Sequence, residues 1–370
     1  MYINDIQLVH FRNYKTLSLS FHKGINIIYG KNAQGKTNLL EAIYVLALTK
    51  SHRSFIDTNL IQNGSPSAKI VGNVSKDSFL SKYEVILEEK KKEFKIDGDV
   101  VKKTSDYISN INIIIFYPED LDLVKGSPNI RRRFLNLELS QLNSSYYSIL
   151  SDYNKLLKMR NDYIKLNFNK MDENYFSILT SYLIDKSVLL LKMRKKFIDK
   201  INEYIEDIFF HISAIKKFHI KYKSFIDYEN DEEELKNKIL SNFQSIHEKE
   251  LKYKTTLIGP HRDDFEFYID EMPLKTFGSQ GQQRMAVLAL KLSEIEIFKA
   301  YKKESPILLL DDVFSELDEF KKNNLLNYIT SDIQTIITTT DLTNIDSKIK
   351  NHSKLIQIED GTIKNIEEVK

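Results

Sequence analysis

The sequence predicts an α/β protein, a mixed sheet with an antiparallel β meander that is divided along the chain by an inserted helical lobe without a long coiled coil. Three observations predict it. A strand, a glycine loop and a helix follow one another over residues 25–48; an apolar strand at 307–310 ends in two acids; and between them Gly and Pro almost vanish from 131 to about 212 and again from 231 to 252. The expected lobes are 1–125 with 255–370, split in sequence, and the helical lobe 126–254.

Along the chain, residues 2–9, 17–21 and 25–29 have the period and composition of strands, and an amphipathic helix follows over 37–48. Past Asn63-Gly64 and Pro66, the segments 68–74, 83–88 and 93–96 form the meander, with Asp97-Gly98 as a turn. Residues 111–116 are a buried strand stopped by Pro118, and helix formers take over after Gly126-Ser127-Pro128. That stretch mixes apolar periods instead of holding heptads, which predicts a compact lobe. Strand texture returns at 265–269, then comes a helix over 281–301, the strand 307–310, and final strands at 333–338 and 355–358.

Composition bounds the function. The chain has 370 residues, 42% apolar and 29% charged, enough for a sizeable core. Its 54 basic and 52 acidic side chains leave a net charge of +2, so any nucleic-acid contact must come from a local patch. Without cysteine there is no disulfide and no thiol chemistry. The apolar runs at 111–116 and 188–191 fall far short of the roughly 20 residues that span a bilayer, and the N-terminus is no signal peptide, so we expect a cytoplasmic protein and no membrane partner.

Three motifs carry chemistry. Gly30-Lys31-Asn32-Ala33-Gln34-Gly35-Lys36-Thr37, followed by Asn38, matches a phosphate-binding loop, in which glycines let the backbone wrap phosphates, Lys36 reaches the outer ones and the Thr37 hydroxyl ligates Mg2+. Asp311 and Asp312 end an apolar strand beside that loop, Asp311 placed to hold the metal and Asp312 to orient the attacking water. Ser279-Gln280-Gly281-Gln282 opens a patterned helix and makes an anion site at a helix N-terminus, although the same residues also cap a helix without any ligand. In this order the motifs resemble those of an ABC-type P-loop ATPase head, a resemblance that implies that the Ser279 segment completes the ATP site of an opposing subunit. Lys36, Asp311 and Asp312 are the catalytic candidates, with ATP and Mg2+ as cofactors. Ser315 and Asp318 sit at the spacing of the cassette D-loop, with a plain cap by Ser315 as the simpler reading. Thr340-Asp341 stands where transporter cassettes carry a histidine; that absence, and Asp312 in place of glutamate, predict slow hydrolysis.

Arg131-Arg132-Arg133 places cations at a helix start, against its dipole, which calls for either the acids Glu119 and Asp120 or an external anion such as DNA phosphate. Lys192, Arg194, Lys195, Lys196 and Lys200 form a second basic face, more simply a solvated helix side, and Lys195 and Lys196 join the arginines as DNA candidates. His261-Arg262-Asp263-Asp264 reads as a charged turn near the nucleotide or the dimer seam and not as a metal site.

As a set, Phe11-Arg12-Asn13-Tyr14, residues 30–37, Pro118-Glu119-Asp120, residues 124–128 and 131–135, 259–264, 279–284 and 311–318 resemble the bacterial RecF family, cassette ATPases related to SMC proteins but lacking their long arms. Asn136 stands where that family is expected to carry Asp, and a coupling element is placed only by position, around 117–121. The resemblance implies that Arg12 and Asn13 approach the phosphates and that an ATP-dependent homodimer binds double-stranded DNA and single-strand/double-strand junctions, hydrolysing ATP slowly with DNA stimulation. It further implies work with RecR and RecO in loading RecA, within recombinational repair, replication restart and the SOS response. A non-hydrolysing ATP-bound clamp and a transporter ATPase subunit are the alternatives.

Overall fold

Ile3, Ile6, Leu8 and Phe11 are buried along β1 (Tyr2–Phe11), which pairs antiparallel with β2 (Tyr14–Ser20) through a tight turn at Arg12 and Asn13. β3 (Ile25–Tyr29) then leads into α1 (Lys36–Leu48). The meander is β4 (Ser67–Lys76), β5 (Phe79–Glu88), β6 (Lys92–Ile96) and β7 (Asp99–Val100), followed by the short α2 (Thr104–Ile108) and β8 (Ile113–Phe116). Helices α3 (Asp122–Lys125), α4 (Pro128–Leu142), α5 (Ser144–Asn167) and α6 (Glu173–Ser213) come next, then β9 (Phe218–Lys223), α7 (Glu232–Ser245), α8 (His247–Tyr253), β10 (Asp264–Ile269), β11 (Met272–Pro273) and α9 (Leu274–Phe277). The chain closes with α10 (Gln280–Lys302), β12 (Ile307–Asp311), β13 (Thr335–Thr339), β14 (Ser353–Glu359) and β15 (Thr362–Glu368). This computed structural model describes residues 1–54, 56–77, 79–167, 170–315, 322, 325, 332–343 and 345–368.

The chain forms two units, 1–121 with 211–214 and 287–370, and 122–210 with 215–286. Residues 255–286, with the Ser279 segment, belong to the second. The first unit holds two six-stranded sheets. One is antiparallel in the order β2-β1-β4-β5-β6-β7; the other runs β15-β14-β3-β13-β12-β8, parallel throughout except for the β14–β15 hairpin. Helix α1 touches β1, β4 and β5 of the first sheet and β8, β12 and β13 of the second, so residues 39–48 are buried all round, as a helix between two sheets must be. Gly72 of β4 permits that approach, since a Cβ there would lie 2.4 Å from Leu46 Cδ2. A parallel sheet delivers the C-terminal ends of β3, β12 and β13 to one edge, where loops can gather ligands.

In the second unit α5 and α6 run antiparallel, Arg160 meeting Thr180, Asp152 meeting Lys186 and Tyr146 meeting Arg194. At 41 residues, α6 is longer than a compact lobe suggested, about 60 Å at 1.5 Å per residue. A small sheet in the order β11-β10-β9 completes the unit. β9 lies between two helix-rich stretches and was not anticipated from the sequence, although Phe218, Ile220 and Tyr222 alternate as a strand requires.

Candidate nucleotide site

The turn after β3 is shaped by its glycines. Gly30 has φ 153° and a Cβ there would lie 2.2 Å from the Ile358 carbonyl oxygen; Gly35 has φ 113° and a Cβ would lie 2.7 Å from Asn13 Nδ2. Neither position tolerates a side chain. Neighbouring segments clamp the loop: Tyr14 Oη donates to the Gly35 carbonyl at 2.9 Å, Asn13 Nδ2 to that of Gln34 at 3.3 Å, and the β14–β15 turn gives Asp360 N–H to Gln34 Oε1 at 2.6 Å and Gly361 N–H to Gln34 O at 3.1 Å. Lys31, Asn32 and Ala33 are left exposed at the loop's tip. The Lys36 ammonium folds back onto the carbonyls of Gly30 (2.5 Å) and Lys31 (2.7 Å). Burial pulls its pKa down, and the carboxylates of Asp312 and Asp311 oppose that shift.

Asp311 ends β12, the strand between β13 and β8, and is buried. Its Oδ1 accepts from Thr37 Oγ1 at 3.0 Å and Thr338 Oγ1 at 2.6 Å. Burial raises its pKa and the two hydroxyls counter this, helped by the positive charge of Arg53. A hydroxyl and a carboxylate brought together across 274 residues are hard oxygen donors of the kind Mg2+ takes, and the carboxylate's burial is what a cation would relieve. Asp312 follows with φ 52°, its N–H donating to Thr338 Oγ1 at 3.0 Å. Thr338, from the adjacent strand, thus orients the Asp311 carboxylate and pins the backbone of Asp312, a role the sequence did not reveal. Asp341 accepts from the Thr343 N–H at 2.8 Å, fixing its own turn after the half-buried Thr340. Ser315 closes a short turn begun at Val313, and Asp318 lies outside the described residues.

Arg12 behaves differently from the expectation that it faces phosphate. Its Nε and Nη2 donate to the two oxygens of the fully buried Glu41, each at 2.8 Å, and Nη1 donates to the Asn59 carbonyl at 2.8 Å. Asn13 reaches the loop and also accepts from Asn38 Nδ2 at 2.8 Å, while Asn38 Oδ1 accepts from Arg53 Nη1 at 2.9 Å. Arg53 and Glu41 escaped the sequence analysis. The signal was there: an acid within the apolar run 39–48 has to find a cation.

In the second unit, Ser279 caps α10. Its hydroxyl accepts the Gln282 N–H at 3.2 Å, and Gln282 Oε1 accepts the Ser279 N–H at 2.8 Å, a reciprocal capping box. Gln280 and Gly281 are exposed beside it. Gly281 has no internal reason to be glycine, since a Cβ would meet nothing nearer than Ser279 Oγ at 3.9 Å.

The basic clusters need correction. Arg131 is buried and doubly bonded to Asp264 (2.6 and 2.8 Å), with further bonds to the carbonyls of Leu123 and Gly126. It is an internal tie, and its offsetting acid is Asp264, neither Glu119 nor Asp120; Asp120 lies 3.8 Å from Lys291. Arg132 donates to the Asp263 carbonyl at 2.8 Å and Arg133 is half-buried. Arg194 turns away from the supposed basic face: it is buried against Tyr146 Oη, Pro260 O, Asn136 Oδ1 and Asp263. The Asn136 carbonyl oxygen thus serves as an acceptor where a carboxylate was expected. Lys195 pairs with Asp199, whereas Lys196 is exposed. Within residues 261–264, Asp263 is buried among Arg194, Tyr222 and the Phe225 N–H and His261 Nδ1 meets Tyr153 Oη at 2.6 Å, while Arg262 is exposed.

Two sheets enclosing α1, a glycine loop ahead of it and a strand-end aspartate bonded to the loop's threonine define an SMC-type ATPase head of the ATP-binding-cassette class. Residues 2–364 match the family described as RecF/RecN/SMC N terminal domain. The DNA replication and repair protein RecF of Bacillus cytotoxicus is 42% identical over 366 residues, covering 98% of each chain. A solved structure described as the recombination mediator protein RecF-ATP in the RecFOR pathway matches with TM-score 0.91 and 32% identity over 98% of this chain and 97% of that one. An Smc head bound to the C-winged helix domain of ScpA shares the fold, with TM-score 0.53 and 16% identity over 99% and 98% of the two chains. The chain belongs to the RecF family. No helix among the described residues is long and apolar enough to cross a membrane.

Proposed function

We propose that this protein is a cytoplasmic, ATP-dependent DNA clamp, and the observation that carries the reading is the convergence of Lys36, Thr37 and Asp311 on one sheet edge. Lys36 leaves the Gly30 and Lys31 carbonyls for the outer phosphates of ATP, and Thr37 and Asp311 hold Mg2+, which screens phosphate charge when bound. Asp312 orients the attacking water. Ser279 of one copy completes the site of another: its hydroxyl proton remains free to donate to phosphate while its oxygen caps α10, and the bare Gly281 admits close approach. Two ATP molecules then close a homodimer on double-stranded DNA beside single-stranded gaps, with Arg132, Arg133, Lys195 and Lys196 as the candidate phosphate contacts that remain once Arg131 is assigned to the interior. Slow hydrolysis, stimulated by DNA, reopens the clamp, and RecR and RecO act with it to load RecA.

Sedimentation tests the central claim. Wild type should dimerise with ATP, whereas Lys36→Met and Ser279→Arg should each stay monomeric; a mixture of the two variants, which rebuilds one composite site, should recover association. A wild-type monomer at saturating ATP overturns the clamp. The short Asp312 and the Thr340-Asp341 pair, with no histidine, favour a second reading in which ATP is held and not turned over. Multiple-turnover phosphate release with and without duplex DNA separates the two.

A further inference from the structure

Glu41 is an anion buried next to a site that must attract anions. It lies on α1 one turn beyond Thr37 and has no exposure to solvent. Around it the chain gathers Arg12 with two bonds of 2.8 Å, the Ser51 hydroxyl at 2.5 Å and Arg53, whose Nη1 stands 3.6 Å from Glu41 Oε2. Burial works to raise the Glu41 pKa, but the bonds from Arg12 and Ser51 and the two guanidinium charges outweigh it and hold the carboxyl below its usual range, so it is ionised.

The two arginines are held unequally. Arg12 has both carboxylate oxygens, the Asn59 carbonyl on Nη1 and a backbone N–H bonded to Leu60 O at 2.9 Å, so moving it breaks a bidentate pair within a buried setting. Arg53 has one neutral bond to Asn38 and the longer contact to Glu41, and it is 41% exposed. From Arg53 the chain of bonds continues through Asn38 and Asn13 to the Gln34 carbonyl in the phosphate loop. Ser51 couples the same elements, donating to Glu41 while accepting the N–H groups of Arg53 and Ser54, each at 2.9 Å.

We infer that Glu41 is a positioning residue for the nucleotide site: it locks Arg12 as a fixed strut and holds Arg53 on a weak contact beside the loop, so that arriving phosphates must compete with a buried carboxylate for Arg53. This rests on the ATP-binding reading and adds the residue that sets the strength of that site. A ligand that must first displace an internal partner binds with an affinity reduced by the fraction of competent protein. Glu41 is therefore a restraint on ATP affinity, the reverse of what a plainly structural glutamate predicts.

Titration of full-length protein with ATP, followed calorimetrically, tests it. Glu41→Gln keeps the shape and removes the charge; ATP affinity should rise about fivefold, the scale of one unit charge acting through a partly screened path. The gain should disappear in the Glu41→Gln, Arg53→Ala double variant, because the released group is Arg53. Unchanged or weaker ATP binding by folded Glu41→Gln, or a gain that persists without Arg53, overturns the inference. If Glu41→Gln does not fold, Arg53→Ala and Arg53→Lys decide. A loss of about tenfold for Ala with partial recovery by Lys, at unaltered melting temperature, supports the inference, and ATP affinity within about twofold of wild type for Ala overturns it. Wild type that fails to bind ATP at all is a separate outcome, which removes the ATP reading itself.

Discussion

His261 gives the second unit a measurable acid sensitivity. Its Nδ1 stands 2.6 Å from Tyr153 Oη and its Nε2 faces the Thr256 carbonyl at 3.3 Å, partners that suit the neutral ring with its proton on Nε2. Burial, reinforced by the charges of Arg262, Arg132 and Arg194, brings its pKa from 6.5 down to about 4. Below about pH 6.5 the unfolded chain therefore takes up a proton that the folded site refuses, and stability falls as pH drops from 6.5 towards 4. Between about pH 7 and about pH 5 linkage gives a loss of about 2 kcal/mol, closer to about 1 kcal/mol after discounting for the solvent that still reaches the largely buried ring. Asp120 in the first unit acts in the opposite sense. Burial raises its pKa from 3.8 to about 6 against the pull of Lys291, so acidification over the same range favours its folded form by about 1 kcal/mol. A bulk melting curve mixes the two signs. The clean measurement is the difference between wild type and His261→Gln in urea unfolding at both pH values, since glutamine can still accept from Tyr153 but does not titrate. Wild type should lose about 1–2 kcal/mol relative to the variant on acidification. A difference that stays constant with pH refutes the buried neutral histidine.

Four further outcomes follow from the geometry. Gly35→Ala forces a Cβ to 2.7 Å from Asn13 Nδ2 at φ 113°, so ATP binding should be lost, with about 1–3 kcal/mol of strain visible in chemical denaturation. Gly281→Ala meets no neighbour within 3.4 Å, so stability should change by less than about 0.5 kcal/mol while sedimentation shows ATP-dependent dimerisation impaired. Arg131→Ala strands Asp264 and should cost about 3–5 kcal/mol in urea unfolding while leaving the salt dependence of DNA binding unchanged; Lys196→Ala should do the reverse, lowering the salt slope by about one at wild-type stability.

What the sequence disclosed and what it hid divide along one physical line. Gly30 and Gly35 were legible because a backbone that only glycine adopts is a local property, and Asp311 was legible because an apolar strand followed by an acid needs no knowledge of its neighbours. A charge carries no such local mark. Arg131 and Lys196 look equally basic in the sequence, yet one is buried on Asp264, 133 residues away, and the other faces solvent. Periodicity was the missed discriminator: Arg194 falls three residues after Leu191 and three before Phe197, both buried, so it lies on the inward stripe of α6 and had to have an internal acid. Glu41 within α1 obeys the same logic. A charged residue at a position whose spacing demands burial is thus a statement about a partner elsewhere in the chain, and for Glu41 that partner search ends at the two arginines beside the phosphate loop, where its charge bears on how tightly phosphate can be held.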